Sequence, residues 1–164
     1  MTHPGDGSVT SYRVVALEGG DGVGKTTVAQ SLAATHGYRV VHSAYQPDVS
    51  DIRGHYEQLM QQPGSMVLDR CFLSEVVYGQ IFRGWSRLTA TDVRELAMAL
   101  QRQSGVLVHL VASDADIVAR LHARDGSAPP LEQIAVVQAR YDAVIDTLHG
   151  LVPIRRHSSG DFFT

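Results

Sequence analysis

A glycine-rich octapeptide near the N-terminus constrains the fold more than any other sequence feature. It reads Gly19-Gly20-Asp21-Gly22-Val23-Gly24-Lys25-Thr26 and matches the pattern G-x-x-x-x-G-K-[ST]. The β-branched, apolar stretch 12–18 before it predicts a buried strand, and the stretch 25–35 after it predicts a helix that ends near Gly37. In this context the motif binds the phosphates of a nucleoside triphosphate, because loop N–H groups and the helix N-terminus face the anion.

The residue types within the motif have separate tasks. Lys25 would reach the β- and γ-phosphates, and Thr26 would ligate Mg²⁺. All basic residues of the chain are arginines except Lys25. A compact ammonium suits this position, where the planar fork of arginine would not fit among the phosphates. The predicted ATP-binding residues are Gly19, Gly20, Asp21, Gly22, Val23, Gly24, Lys25, Thr26 and Thr27.

Alternating strand and helix patterns continue to the end of the chain. They predict an α/β fold of the P-loop NTPase type, with three layers and a five-stranded, mainly parallel sheet flanked by helices. Residues 1–164 form one predicted domain, with 1–11 as a flexible lead-in. Further strands are predicted at 39–42, 66–68, 106–111 and 152–155, and helices at 51–62 capped by Ser50, 71–82, 92–103 capped by Thr89 or Thr91, from Ser113 to about 124, and 131–148.

Composition narrows the setting in which this chain works. The net charge of −3 lacks the basic signature of a protein that coats nucleic acid, so no nucleic-acid partner is expected. The single cysteine, Cys71, excludes a disulfide within the chain and favours a reducing compartment. Neither a signal peptide nor an apolar run long enough to cross a bilayer is apparent, so we expect a cytoplasmic protein with no membrane partner.

A second chemical signal, Asp69-Arg70, follows the predicted strand 66–68. Carboxyl ends of parallel strands gather at one edge of a sheet, so this pair is expected beside the glycine-rich loop. Asp69 is placed to hold Mg²⁺ through water or to accept a proton from an attacking oxygen. Arg70 is placed to bind a second anionic group with its bidentate fork. An isolated Asp-Arg pair on a surface would have neither role.

Four segments together resemble thymidylate kinases. Residues 69–80 resemble their D-R-x-x-x-S-x-x-x-Y stretch, and GGDGVGKTT resembles their loop, including its acidic third position. The segment from Arg120 to Arg124 is similar to the R-x-x-x-R entrance of their lid, here residues 120–130. Arg140-Tyr141 is similar to a pair in the helix that follows the lid. The resemblance implies ATP- and Mg²⁺-dependent phosphorylation of a deoxynucleoside monophosphate, with thymidylate as the first candidate.

Roles for individual residues follow from that resemblance. Asp21 would contact the 3′-hydroxyl of the acceptor. Arg70 and Arg53 would bind the acceptor's phosphate, and Ser74, Glu75 and Tyr78 would line the acceptor pocket. The metal site would comprise Thr26 and Asp69. The implied catalytic residues are Lys25, Asp69, Arg70, Arg120 and Arg124, the last two closing over the triphosphate.

Departures from the family pattern leave the acceptor open. Residues 43–47 replace its usual T-R-E-P-like segment, and Glu75 stands where an amide often faces the base. A carboxylate there would favour the amino group of cytosine or adenine, or would point to solvent. Alternative functions are a deoxynucleoside kinase, a kinase for modified pyrimidine nucleotides, as in some compact phage enzymes, and a non-catalytic nucleotide-binding module.

Two further inferences concern rival classes and partners. The sequence contains no asparagine, which counts against a GTPase switch because such proteins use an N-K-x-D-like guanine signature. The expected partners are small nucleotide substrates. Related kinases are commonly homodimers, and the apolar pair Val76-Val77 is a candidate interface.

Overall fold

Five strands form one parallel sheet in the computed structural model, which describes residues 8–43 and 45–162. Their order across the sheet is β2-β3-β1-β4-β5, and every pairing is parallel. The strands are β1 Val14–Glu18, β2 Arg39–His42, β3 Met66–Asp69, β4 Gly105–Val111 and β5 Ile154–Ser158. The three inner strands are buried almost throughout, which explains their continuous apolar sequences.

Six α-helices connect the strands within the described ranges and cover both faces of the sheet. They are α1 Lys25–His36, α2 Ile52–Gln61, α3 Phe72–Phe82, α4 Ala90–Arg102, α5 Asp114–Asp125 and α6 Leu131–Asp146. This architecture confirms the predicted α/β fold with a five-stranded parallel sheet. The predicted helix boundaries agree with the structure to within two residues.

Alternate residues of the inner strands supply the two halves of the core. Val14, Ala16 and Leu68 face one cluster, which includes the buried sides of α2, α3, α4 and α6. Val15 and Leu17 face the other cluster, which includes α1 and α5. The sheet is therefore the middle of three layers, and the apolar area removed from water on both faces stabilises it.

Helix caps decide the boundaries that sequence patterns left ambiguous. The Asp51 carboxylate accepts the Gly54 N–H at 2.9 Å, so Asp51 rather than Ser50 caps α2. Thr89 and Asp92 form a reciprocal capping box at the start of α4, so Thr89 rather than Thr91 is the cap. At α1, Gly37 takes φ 72° and ends the helix where the sequence predicted.

The terminal segments differ in part from prediction. Residues 1–7 of the expected flexible lead-in lie outside the described residues, whereas Val9–Ser11 forms a 3-10 turn and Val9 packs against the core. The last strand starts two residues later than predicted and extends to Ser158, because it pairs with β4 along residues 107–111. Within 8–43 and 45–162, no helix combines the length and apolarity required to cross a membrane.

Candidate functional site

The glycine-rich loop follows β1 directly, and at two of its glycines a side chain of any size would clash with neighbouring atoms. Gly19 takes φ 149°, and a Cβ there would lie 2.4 Å from the backbone oxygen of Leu110. Gly24 takes φ 100°, and a Cβ there would lie 2.7 Å from the side chain of Ser159. The loop therefore passes close to the ends of β4 and β5, and only glycine fits where its backbone turns.

Lys25 lies under this loop as the first residue of α1. Its ammonium donates to the carbonyl oxygens of Gly19 and Gly20 at 2.8 and 2.6 Å, and only 5% of the residue is exposed. Burial lowers the pKa of Lys25 to about 8, with the positive charge of Arg70 acting in the same direction. The loop thus holds a cation at its centre, as the motif predicted.

Thr26 and Asp69 come together from different elements. The Thr26 hydroxyl donates to Asp69 Oδ2 at 2.8 Å, and the same oxygen lies 3.0 Å from His42 Nδ1. Asp69 is buried at the end of β3, whereas the His42 side chain is 62% exposed. A hydroxyl and a carboxylate are oxygen ligands of the kind that Mg²⁺ prefers, so these residues fit the predicted metal site.

Arg70 occupies an unusual backbone position immediately after Asp69. Its φ is 75°, in the left-handed region that non-glycine residues rarely adopt. Its backbone N–H donates to the carbonyl oxygen of Leu17 at 3.2 Å. The guanidinium lies 5.3 Å from the centre of the Tyr78 ring, and its Nη2 lies 3.4 Å from Asp21 Oδ1. This strained geometry aims Arg70 at the loop, and such strain is concentrated at functional sites.

Asp21 is held by arginines on two sides. Arg124 of α5 donates to both of its oxygens, at 3.1 and 3.0 Å, and Arg70 approaches one of them. Burial of the carboxylate opposes ionisation, but the hydrogen bonds and charge of Arg124, with that of Arg70, lower the pKa of Asp21. Arg120, one turn earlier on α5, donates to the Gly22 oxygen at 3.2 Å. Both predicted lid arginines therefore touch the loop.

Three cavities meet around this network. The loop cleft, of about 490 Å³, includes residues 24–27, His42, Asp69, Arg120 and Arg124 in its lining. The arginine cavity, of about 220 Å³, lies beside it and includes Tyr45, Ser74, Glu75, Gly79, Arg83 and Arg87. The apolar cavity, of about 230 Å³, lies between α3, α5 and α6 and includes Phe82, Leu121 and Ile134.

Asp21, Arg70 and Tyr78 form the junction of the three cavities. Asp21 lines the loop cleft and the apolar cavity, Arg70 the loop cleft and the arginine cavity, and Tyr78 the two smaller cavities. The Tyr78 hydroxyl accepts the Asp21 N–H at 2.9 Å. A group bound at this junction would touch both the phosphate loop and α3.

Glu75 lies in the arginine cavity, but both of its oxygens are already engaged. Oε1 accepts from Arg83 Nη2 and from the Arg87 N–H and Nε, and Oε2 accepts from Arg87 Nη2 at 2.9 Å. Although burial opposes it, the Arg87 contacts lower the pKa of Glu75. The two arginines therefore compete with any base for this carboxylate, and its side chain, 4% exposed, does not point to solvent. Its role toward an acceptor base stays a prediction.

Arg53 does not join the site. It lines none of the three cavities, and its guanidinium pairs with three carboxylates, Glu57 at 3.2 Å, Asp92 at 3.5 Å and Glu95. The family resemblance implied a basic side chain near the acceptor, but the acidic face of α4 lies beside Arg53 and attracts it. Val77, half of the predicted dimer interface, is likewise unavailable because it is buried in the core.

Some residues of the site were not among the site residues predicted from the sequence. Glu18 is fully buried at the end of β1, and Tyr141 of α6 is buried against Ser74, whose hydroxyl lies 3.0 Å from that of Tyr141. His42, Arg83 and Arg87 complete the loop cleft and the arginine cavity. Glu18 left a signal, an acid at the end of an otherwise apolar strand, and Tyr141 was indicated only as part of the Arg140-Tyr141 pair of the family resemblance.

Comparisons with known proteins concern the fold. No protein-family model matches the sequence, and no curated protein matches it significantly. The structure is similar to the YorR protein from Bacillus subtilis, solved in complex with phosphorylated GDP, at TM-score 0.78 and 22% identity, covering 90% of this chain and 86% of that one.

Two kinases have the same architecture. Deoxyadenosine kinase from M. mycoides with bound dCTP gives a TM-score of 0.62 at 15% identity, with 90% of both chains covered. Shikimate kinase from Acinetobacter baumannii, in complex with shikimate, gives 0.57 at 18% identity, with 93% of this chain and 88% of that chain covered. The chain therefore has the fold of the P-loop kinases.

Proposed function

We propose that this protein transfers the γ-phosphoryl group of ATP to a deoxynucleoside monophosphate, in a reaction that requires Mg²⁺. The observation that carries the proposal is the position of Arg70, whose side chain lines both the loop cleft and the arginine cavity. A cation between two cavities is placed to bind phosphate groups on either side of the bond that forms. Thymidylate is the first candidate acceptor.

The donor half of the proposed site is the loop cleft. Lys25 would exchange its contacts with the Gly19 and Gly20 carbonyls for contacts with the β- and γ-phosphates. Thr26 and Asp69, already 2.8 Å apart, would hold Mg²⁺. The metal ion, when bound, neutralises charge on the phosphate oxygens and orients them.

The acceptor half is the arginine cavity together with the junction. Arg70 would bind the acceptor's phosphate, and the Asp21 carboxylate would accept a hydrogen bond from the sugar hydroxyl. Asp21 currently binds Arg124. Acceptor binding would therefore release Arg124 from Asp21, so that it turns towards the transferring phosphoryl group beside Arg120.

Positioning and charge account for the chemistry of such a site. Phosphoryl transfer proceeds through a loose transition state whose charge is spread over the equatorial oxygens. Lys25, Arg70, Arg120 and Arg124 all line or border the loop cleft and would stabilise that charge. If the attacking oxygen carries a proton, as a nucleoside hydroxyl does, Asp69 would accept it.

Two of the similar structures hold nucleotides, which supports a nucleotide substrate, whereas the shikimate kinase holds shikimate. Phosphorylated GDP is bound in the YorR complex, and dCTP in the deoxyadenosine kinase. The single cysteine, buried and free, agrees with a reaction in the cytoplasm. The homodimer suggested by family resemblance stays a proposal, and Val77 would not be part of its interface.

An ADP-release assay with a panel of acceptors tests the proposal. ATP, Mg²⁺ and each deoxynucleoside monophosphate are incubated with the protein, and product nucleotides are separated by chromatography. Turnover is expected with at least one monophosphate and is expected to be lost in Lys25→Ala, which removes the cation under the loop. Arg94→Ala, an exposed change on α4, is the matched control. Lack of turnover with every monophosphate would overturn the proposal.

A deoxynucleoside kinase is the second candidate, favoured by the position of Arg53. Because α4 carboxylates occupy Arg53, the predicted pair of acceptor-phosphate arginines reduces to Arg70. A cavity with fewer free cations suits an uncharged nucleoside. The same assay with nucleosides decides between the two candidates: turnover of nucleosides but not of their monophosphates would establish this second function.

A further inference from the structure

A second guanidinium lies at the end of the arginine cavity farthest from the loop, and most of its N–H donors have no acceptor among the described residues. Arg83 extends from the end of α3 and gives one Nη2 hydrogen bond to Glu75. Within residues 8–43 and 45–162, no other acceptor binds its guanidinium, and its buried Nε has no partner. Since arginine has five N–H donors, the group retains most of its hydrogen-bonding capacity. A buried donor without a partner, here Nε, is costly, so a ligand acceptor that pairs with it gains affinity.

Neighbouring side chains hold Arg83 in place. Its guanidinium carbon lies 5.5 Å from the ring centre of Tyr45 and 5.2 Å from that of Trp85. Both rings are more than half exposed, at 63% and 55%. Two exposed aromatic faces beside a cation offer a planar ligand a stacking surface as well as hydrogen-bond donors.

Gly79 provides the space for this arrangement. It lies inside α3, where its φ is not positive, so backbone geometry does not require glycine. A Cβ at this position would lie 2.6 Å from Arg83 Nη2 and 2.9 Å from the backbone oxygen of Trp85. Glycine weakens a helix interior, and here it allows Arg83 to pass across α3 into the cavity.

The charges at this end favour hydrogen-bond acceptors. Glu75 is the acid in the lining, and each of its oxygens accepts from Arg83 or Arg87. Arg87 also donates to the carbonyl oxygens of Gln46 at 2.6 Å and Val49 at 3.2 Å, so its donors are used within the wall of the cavity. Among the arginines of the lining, Arg70 is placed for the phosphate and Arg87 binds the wall, so Arg83, which only donates, is available for the rest of a ligand.

We propose that Arg83, flanked by Tyr45 and Trp85, selects an acceptor whose nucleobase presents carbonyl oxygens. Thymine, uracil and guanine present such edges, whereas cytosine and adenine present amino donors at the corresponding positions. This inference rests on the proposed function, because it assumes that the arginine cavity holds a nucleotide base. It replaces the expectation that Glu75 would select an amino group.

Binding measurements separate this proposal from the proposed reaction. Isothermal titration calorimetry of the wild-type chain would give Kd for dTMP, dGMP, dCMP and dAMP without ATP. We expect dTMP and dGMP to bind about tenfold more tightly than dCMP and dAMP, because a well-placed hydrogen-bonded pairing of an arginine with a base edge discriminates between bases. Trp85 is the only tryptophan of the chain, so its fluorescence reports whether binding occurs beside Arg83.

Variants then test the role of Arg83 itself. In Arg83→Gln the preference for carbonyl bases is expected to fall below about threefold, since the guanidinium donors are lost. Arg83→Lys, which retains the charge next to Glu75, is expected to lose most of the preference because it lacks the fork. Arg94→Gln is the control and is expected to keep it. Thermal melting establishes that each variant is folded.

Each result has a defined meaning. Equal or weaker binding of dTMP and dGMP relative to dCMP and dAMP overturns the proposal, as does lack of binding by all four nucleotides. A preference without any change in Trp85 fluorescence, or a preference retained in the folded Arg83 variants, also overturns it. If the expected preference appears but no monophosphate is phosphorylated in the ADP-release assay, the base subsite stands and the proposed reaction fails.

Discussion

Glu18 links the end of β1 to the start of α3, and replacing it tests how the site is held together. Its carboxylate is fully buried and accepts the Cys71 N–H at 3.0 Å, the Leu73 N–H at 2.9 Å and the Ser74 hydroxyl at 2.8 Å. Cys71, the N-cap residue of α3, makes no side-chain capping bond. Glu18 therefore caps this helix from a neighbouring strand.

The cost of Glu18→Ala can be worked from these contacts. Two buried N–H groups, of Cys71 and Leu73, lose their acceptor, at about 1–3 kcal/mol each. Removing a buried carboxylate returns part of its desolvation cost, so we expect a net loss of about 2–4 kcal/mol in the free energy of unfolding. In a domain of this size that corresponds to a fall in Tm of about 4–16 °C.

Glu18→Gln is the matched control, because it keeps the shape and removes the charge. Its amide oxygen can still accept both backbone N–H groups, and its NH₂ can donate to Ser74, whose hydroxyl hydrogen then turns to Tyr141, 3.0 Å away. We expect this variant to remain within about 1 kcal/mol of wild type at neutral pH.

The pH dependence of the pair gives a second readout. Burial raises the pKa of Glu18 above its ordinary value of 4.5, with the Ser74 hydrogen bond opposing. A raised pKa means that the wild-type residue supports folding fully below pH 4.5 and loses that contribution as the pH rises through the folded-state pKa. Glutamine has no such titration, so the Tm of Glu18→Gln relative to wild type should increase with pH.

Thermal melts followed by circular dichroism, from acid to neutral pH, measure these differences. Equal losses of stability in the two variants would show that the charge, and not the capping of α3, is what matters. A loss below about 1 kcal/mol in Glu18→Ala would refute the capping role altogether.

Three further predictions concern single positions. Amine-specific labelling of Lys25, followed by peptide mass spectrometry, should rise through about pH 8 rather than 10.5, and bound ATP should reduce it. Labelling that requires a far higher pH, or that ATP does not reduce, contradicts the position of Lys25 under the loop. Gly79→Ala should lower the free energy of unfolding by about 1–3 kcal/mol through overpacking, although helix propensity alone would raise it by about 1 kcal/mol. A higher Tm than wild type would contradict the close contact with Arg83. Burial raises the pKa of Cys71 well above 9.0, so a thiol reagent should modify it only when the chain opens, and fast modification of the folded protein would refute this burial.

Local sequence patterns predicted the elements and most of the loop cleft. The strand before Gly19 and the helix from Lys25 lie where expected, because apolar periodicity and glycine turns act between residues close in the chain. Asp69-Arg70 meets the loop because parallel strands bring their carboxyl ends to one edge. These inferences needed no knowledge of distant contacts.

The acceptor side was predicted less well. Arg53 and Glu75 are charged residues near the expected pocket, yet each pairs with partners on another element or a later loop. A long charged side chain reaches several ångströms in any direction, so its helix position alone does not determine its partner. Each therefore has partners that the sequence did not indicate, and the acceptor roles of both stay predictions, as do those of Ser74 and Tyr78.

The amino-acid sequence by itself determined that this chain folds around a phosphate-binding loop with Lys25 at its centre and Asp69-Arg70 at the next strand end. Glycine turns, strand-helix alternation and a single lysine are local properties, and they can be recognised in the sequence alone. Only the tertiary structure decided that Asp21, Arg70 and Tyr78 form the junction of three cavities, and that Arg83 and Arg87 pair with Glu75. Those outcomes depend on how sheet order and helix packing bring distant charges together, because electrostatic partners are chosen by distance in space.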